Sequence, residues 1–101
     1  MSNIVSQLPK IVKESPIFVA SKTFCPFCQA TLKTLDSLKV KPYVLQLNQM
    51  KEGQEIQDAL AKMTGQGTVP NIFIGGKHIG GNSDLQKLKK NGKLTELLSK
   101  F

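Results

Sequence analysis

Two cysteines, Cys25 and Cys28, are the only thiols in the chain, and they flank Pro26-Phe27 where an apolar run gives way to a helical pattern. Thiols at this spacing can close on one another or share an attack on a foreign disulfide, so the pattern implies disulfide exchange. Cys25 falls where a helix N-cap is expected, with Pro26 at the first helical position, which proline tolerates well. A sulfur there can accept hydrogen bonds from the free N–H groups of Phe27 and Cys28, and it sits at the positive end of the helix dipole. The ammonium of Lys22, just upstream, adds to that field, and all three favour thiolate over thiol. Cys28, one turn further in and facing the core, lacks these surroundings. Cys25 is therefore expected to attack and Cys28 to resolve. A closed zinc site takes four ligands, and two cysteines with one histidine do not supply them. A metal cluster shared between two chains stays open on counting alone, but Pro26 stiffens the turn against the opening such sharing needs.

The elements that must position these thiols follow from periodicity and turn residues. Ile4, Leu8, Ile11 and Val12 give an amphipathic helix over 2–14, with Pro9 as a blemish, and Ser15-Pro16 ends it. Ile17-Phe18-Val19-Ala20 is apolar on both faces, as a central strand must be. Pro26 opens a helix with the stripe Leu32, Leu35 and Leu38. Pro42 resets the chain, and Tyr43-Val44-Leu45-Gln46-Leu47 reads as a second strand. Residues 52–63 form a helix through Ile56, Ala59, Leu60 and Met63, closed by Gly65 and Gly67. Ile72-Phe73-Ile74 and Lys77-His78-Ile79 flank Gly75-Gly76, a hairpin signal. Leu85, Leu88, Leu94, Leu97 and Leu98 make a C-terminal helical region interrupted near Asn91-Gly92. The order α-βα-β-α-ββ-α predicts an α/β fold in which a right-handed βαβ unit supplies parallel strands and the hairpin an antiparallel edge.

Two further segments have chemistry-bearing readings. Val69-Pro70 precedes a strand; as a cis bond it would expose the Val69 backbone to an incoming extended peptide, and otherwise it is an ordinary loop proline. Gly80-Gly81-Asn82-Ser83-Asp84 opens a helix with Asn82 or Ser83 as N-cap, and its free N–H groups suit a carboxylate while Asp84 suits an ammonium. His78 reads as a strand surface residue without a role, and Met50 and Met63 as core filler.

Composition narrows the partners. A chain of 101 residues with 40% hydrophobic and 21% charged residues is expected to be one domain, 1–101, with one modest core. The net charge of +7 comes from lysine alone; without arginine's bidentate fork, specific nucleic-acid reading is not expected. Lys87, Lys89 and Lys90 lie in a helical pattern and read as a solvated face, although a positive field would still steer anionic substrates. No run is long enough to span a membrane, and the first ten residues lack a secretory pattern, so a reducing, cytoplasmic setting and no membrane partner are expected.

Taken together, three blocks carry a resemblance: Ser21-Lys22-Thr23-Phe24-Cys25-Pro26-Phe27-Cys28, Gly65-Gln66-Gly67-Thr68-Val69-Pro70-Asn71, and Gly76-Lys77-His78-Ile79-Gly80-Gly81-Asn82-Ser83-Asp84-Leu85. The chain resembles, from end to end, the dithiol glutaredoxins familiar from fungi. The resemblance implies a thioredoxin-like fold, a four-stranded mixed sheet flanked by helices, with an extra N-terminal helix. It implies a glutathione-dependent thiol–disulfide oxidoreductase that reduces protein–glutathione mixed disulfides and small disulfides, with glutathione as co-substrate, no bound cofactor, no metal and a monomeric state. By the same resemblance Lys22 and Gln57 bind the glycyl carboxylate of glutathione, and Val69 pairs with its cysteinyl backbone. Thr68, Pro70 and the ring of Phe27 border it, and Ser83 and Asp84 hold its γ-glutamyl end. Phe27 stands where the family usually has tyrosine, and Gly67 where relatives often carry a charge. A thioredoxin-type reductase substrate would carry tryptophan beside Cys-Gly-Pro-Cys, and an iron–sulfur carrier of this superfamily a Cys-Gly-Phe-Ser centre. This sequence has neither.

Overall fold

Five consecutive buried residues, Ile17–Ser21, form the strand on which the rest of the chain is laid. The computed structural model describes residues 4–101. In it this strand, β1, pairs in parallel with β2 (Tyr43–Gln46) and antiparallel with β3 (Asn71–Ile74), and β3 pairs antiparallel with β4 (Lys77–Gly80). The sheet order is β2-β1-β3-β4. Helices α1 (Ile4–Glu14), α2 (Pro26–Ser37), α3 (Gly53–Thr64), α4 (Asn82–Lys90) and α5 (Lys93–Leu98) cover its faces, and a short 3-10 turn, Leu47–Gln49, follows β2. This is the mixed, helix-flanked, thioredoxin-like arrangement with an added N-terminal helix. No helix among the described residues is long and apolar enough to cross a membrane.

The alternation of a strand explains the two cores. Phe18 and Ala20 turn to one face, where they meet Leu8 and Val12 of α1 and Ile56 and Leu60 of α3. Ile17 and Val19 turn to the other, against Leu35 of α2, Leu85 of α4 and Leu94 and Leu98 of α5. A strand covered on both faces has no place for a solvated side chain, hence its uniform apolarity. The parity carries one residue further: Ser21 belongs to the face of α2.

Most boundaries fall where expected. α1 begins at Ile4 among the described residues and keeps Pro9 within it, whereas positions 2 and 3 of the expected helix lie outside the described residues. α3 ends on Gly65, which adopts φ 81° and donates to the Ala61 carbonyl at 2.8 Å. The hairpin turns on Gly75 and Gly76 at φ 60° and 81°, the left-handed pair that a tight antiparallel connection needs.

Three expectations are corrected. Leu47 is not the last residue of β2; it opens the 3-10 turn, with its side chain buried. The reason is close packing, since a Cβ on Gly53 would run into the Leu47 carbonyl, so α3 can start there only on a glycine. In α2 the expected stripe does face the core, Leu35 fully buried and Leu32 and Leu38 packed half-buried against the same cluster, while Cys28, Thr31 and Thr34 complete the inner face. Met63 is not core filler: it is 43% exposed, at the rim of a cavity shared with Pro9, Val12 and Phe73. The N-cap of α4 is Gly81, with Asn82 and Ser83 already helical. Asp84 supplies the missing cap by accepting the Gly81 N–H at 2.9 Å, which leaves the Asn82 side chain free for another partner.

Candidate active site

The thiol turn is built from β1 outward. Beyond Ser21 the chain bends so that the Cys25 N–H donates to the Lys22 carbonyl at 3.1 Å. Thr23, in the middle of this bend, is held from outside: its N–H donates to Asn48 Oδ1 at 3.0 Å, its hydroxyl accepts from Asn48 Nδ2 at 2.7 Å, and its carbonyl accepts from Gln29 Nε2 at 2.9 Å. Cys25 then takes the N-cap of α2 in an extended conformation, φ −91° and ψ 114°, with Pro26 at the start of the helix. Its sulfur accepts the Cys28 N–H at 3.2 Å. Of the two donors expected, Phe27 and Cys28, the bond goes to Cys28, which has the N3 position that N-cap side chains reach.

Both thiols are free, and they differ in access. Cys25 is half-buried and Cys28 fully buried. Burial pushes the Cys28 thiol up to about 11, reinforced by the Cys25 side chain, while the Lys22 backbone N–H and the Ser21 hydroxyl pull the other way. At neutral pH Cys28 is therefore a thiol.

The loop before β3 comes up beside the sulfur. The Val69–Pro70 peptide is cis, as the sequence suggested, and the Cys25 thiol points at the Val69 carbonyl, 3.9 Å away. Gln66 braces this loop, donating from Nε2 to the carbonyls of Thr68 at 3.2 Å and Pro70 at 3.0 Å. Behind it, buried Asn71 donates to the Gln66 carbonyl at 3.4 Å and accepts at Oδ1 from His78 Nε2, 2.8 Å away. An amide oxygen only accepts, so the histidine carries its proton on Nε2. His78 is exposed, as expected of a surface residue, yet it is tied into the loop.

A groove of about 410 Å³ opens between these pieces, lined by Phe27, Thr68, Val69, Pro70 and the Gly81-Asn82-Ser83 start of α4. The three segments singled out in the sequence thus converge on one depression. Lys22, Gln57 and Asp84 do not line it. Lys22 is half-buried at the end of β1, Gln57 donates from Nε2 to the Gly67 carbonyl at 2.8 Å, and Asp84 caps α4. The cap explains Gly80: at φ 120°, a Cβ there would collide with the Asp84 carboxylate.

A family model described as Glutaredoxin matches residues 17–79. The chain belongs to the glutaredoxin family. It is accordingly a glutathione-dependent thiol–disulfide oxidoreductase. Glutaredoxin-1 of Saccharomyces cerevisiae is 57% identical over 98 residues, covering 93% of this chain and 89% of that one. Glutaredoxin-1 of Rhizophagus irregularis is 42% identical over 99 residues, covering 98% of each. Among solved structures, a buckwheat glutaredoxin–glutathione complex superposes with a TM-score of 0.91 at 40% identity, covering 95% of this chain and 87% of that one.

Several residues that shape this glutaredoxin's site escape a reading of the sequence. Asn48 fixes the thiol turn from the 3-10 turn that follows β2. Thr31, fully buried, donates to Asn82 Oδ1 at 2.9 Å, and Gln86 Nε2 joins the same oxygen at 3.1 Å while also reaching Thr34 Oγ1 at 2.8 Å. This small polar network locks the start of α4, one wall of the groove, to the helix that carries both cysteines. The one signal for it in the sequence is a pair of threonines, Thr31 and Thr34, at core-facing positions of α2.

Proposed function

We propose that Cys25 is the nucleophile of this glutaredoxin and Cys28 its resolving thiol. The difference between the two sulfurs carries the reading: one is accessible at a helix N-cap beside the groove, the other is sealed beneath it and held as a thiol. The Cys25 thiolate attacks the glutathione sulfur of a protein–glutathione mixed disulfide. A Cys25–glutathione bond forms, the original S–S bond breaks, and the protein thiolate leaves and takes up a proton. A second glutathione thiolate then attacks the bound glutathione sulfur, releasing glutathione disulfide and the Cys25 thiolate. In the alternative route Cys28 attacks Cys25, expels glutathione and leaves an intramolecular disulfide for two further glutathiones to reduce. Loss of the leaving thiol is faster the more readily it bears negative charge.

Glutathione lies along the groove in this reading. Its cysteinyl backbone pairs with Val69 in strand fashion, with Thr68, Pro70 and the Phe27 ring alongside. The glycyl carboxylate is taken by the Lys22 ammonium and by Gln57, whose amide keeps one N–H after donating to Gly67. The γ-glutamyl end meets the Ser83 N–H and Asp84, which commits Oδ2 to its cap and has Oδ1 left for the ammonium. The protein acts as a monomer, a single domain over 1–101, on glutathionylated proteins and small disulfides in the cytoplasm.

The test is glutathione-dependent reduction of a glutathionylated peptide by wild type, Cys25→Ser and Cys28→Ser. The expected result is no turnover with Cys25→Ser and retained turnover with Cys28→Ser. Turnover by Cys25→Ser would overturn the assignment.

A further inference from the structure

The edge strand reaches the groove through three side chains. β4 pairs with β3 so that His78 stands opposite Phe73, and residues opposite one another share a face of the sheet. Asn71, two residues before Phe73, lies on that same face. The imidazole leans on the Phe73 ring, centroids 5.1 Å apart, where the register shifts between Ile72 and Phe73. Such irregularities re-aim side chains, and here the one re-aimed is His78, towards Asn71. Asn71 is 1% exposed, and its amide has a fixed sense. The Gln66 carbonyl only accepts, so Nδ2 faces it at 3.4 Å and Oδ1 is left for the His78 N–H, at 2.8 Å the shorter of the two bonds. Gln66 is the third member: with its own carbonyl held by Asn71, its side chain donates to the carbonyls of Thr68 and Pro70, on either side of Val69. The Thr68 carbonyl and the Val69 N–H belong to one planar trans peptide and point in opposite directions. A grip on that carbonyl therefore sets the direction of the Val69 N–H.

We propose that His78 is a positioning residue for glutathione: its Nε2–H, through Asn71 and Gln66, holds the Val69 backbone in the orientation that pairs with the tripeptide. The proposal rests on the reading in which Val69 makes that pairing. Without the histidine donor a buried amide oxygen is left unpaired, so Asn71 turns to find another partner and loosens its hold on Gln66. The Val69 peptide then samples other orientations, and binding has to restore the one that glutathione needs. Thr64 Oγ1 still accepts the Gln66 N–H at 3.0 Å, so the loss is graded and the loop does not collapse. The Cys25 sulfur keeps its own bond from the Cys28 N–H at 3.2 Å, so the effect falls on binding and spares the chemical step.

His78→Phe keeps a ring against Phe73 and deletes the donor, and His78→Gln restores one. Reduced, isotope-labelled protein is titrated with S-methylglutathione, a thioether that cannot exchange, and followed by amide NMR. The dissociation constant of His78→Phe is expected to rise about fivefold, the effect of one neutral hydrogen bond, and that of His78→Gln to stay within about twofold of wild type. Turnover of a glutathionylated peptide should show the same ratio in KM, with kcat close to wild type. Equal affinity of His78→Phe and wild type overturns the proposal. So does a fall in kcat at unchanged KM, or a His78→Gln variant that binds no better than His78→Phe. The Val69 amide resonance separates the two readings. If it moves as wild type is titrated, the Val69 pairing stands and the variants bear on His78 alone. If it stays in place while S-methylglutathione binds, the pairing fails and takes the proposal with it.

Discussion

The side-chain amide of Asn48 grips Thr23 at two points, accepting its N–H at 3.0 Å and donating to its hydroxyl at 2.7 Å. Thr23 is two residues before the Cys25 N-cap, so this grip fixes the approach of the chain to the reactive sulfur. Asn48 belongs to the 3-10 turn that β2 becomes when α3 packs against Leu47 through Gly53. The packing of α3 is thereby transmitted to the thiol turn.

Asn48→Ala removes both bonds. Each is exposed and neutral, so the loss of stability is expected to be about 1–2 kcal/mol in urea unfolding. Alkylation of Cys25 should become slower by a few fold as the turn loosens. Asn48→Asp keeps an acceptor for the Thr23 N–H and lets the Thr23 hydroxyl donate instead, so it should stay close to wild type in both measurements.

Thr31→Val keeps the shape of a buried side chain and deletes the donor to Asn82 Oδ1. The expected cost is about 1 kcal/mol, since Gln86 still reaches that oxygen. Because Asn82 lines the groove and not the sulfur, KM for a glutathionylated peptide should rise while kcat changes little. Steady-state kinetics that showed a fall in kcat at constant KM would contradict this placement.

Partial desolvation of the imidazole ring, in a residue that is exposed as a whole, lowers the proton affinity of His78 below its ordinary 6.5, with the Asp84 carboxylate offsetting part of the effect. The unfolded chain therefore binds the proton more readily than the folded one. The associated stability is fully present above pH 6.5 or so and is lost as pH falls below it towards the folded value. Urea midpoints for wild type should drop between pH 7.5 and 5.5. They should drop less for His78→Gln, which cannot titrate and can still donate to Asn71.

Much of this architecture is written locally in the chain. The run Ile17-Phe18-Val19-Ala20 is a central strand because only a doubly covered strand is apolar at every position. Cys25 is an N-cap because Pro26 fits the first turn of a helix and little else there, and Gly75-Gly76 is a hairpin because the turn needs left-handed residues. Each signal lies within a few residues of its effect, so the element order, the two thiols at a strand–helix junction and the three segments bordering the groove were legible without coordinates. The boundary errors fell where an element end depends on what packs against it: Leu47 leaves the strand to meet Gly53, and Gly81 caps α4 because Asp84 supplies the acceptor.

The polar framework behind the site had no such local mark. Thr23 and Asn48, Thr31 and Asn82, and Asn71 and His78 each meet only after the sheet order and helix packing are set. A polar side chain reads the same in sequence whether water or a distant partner satisfies it. The sequence by itself determined which residues could react and on which kind of element they sit, because capping, turn chemistry and strand periodicity act over short range. Only the tertiary structure decided how completely Cys28 is sealed, and which side chains hold the turn, the loop and the helix start around the two thiols, because burial and long-range hydrogen bonds exist only once the elements have packed.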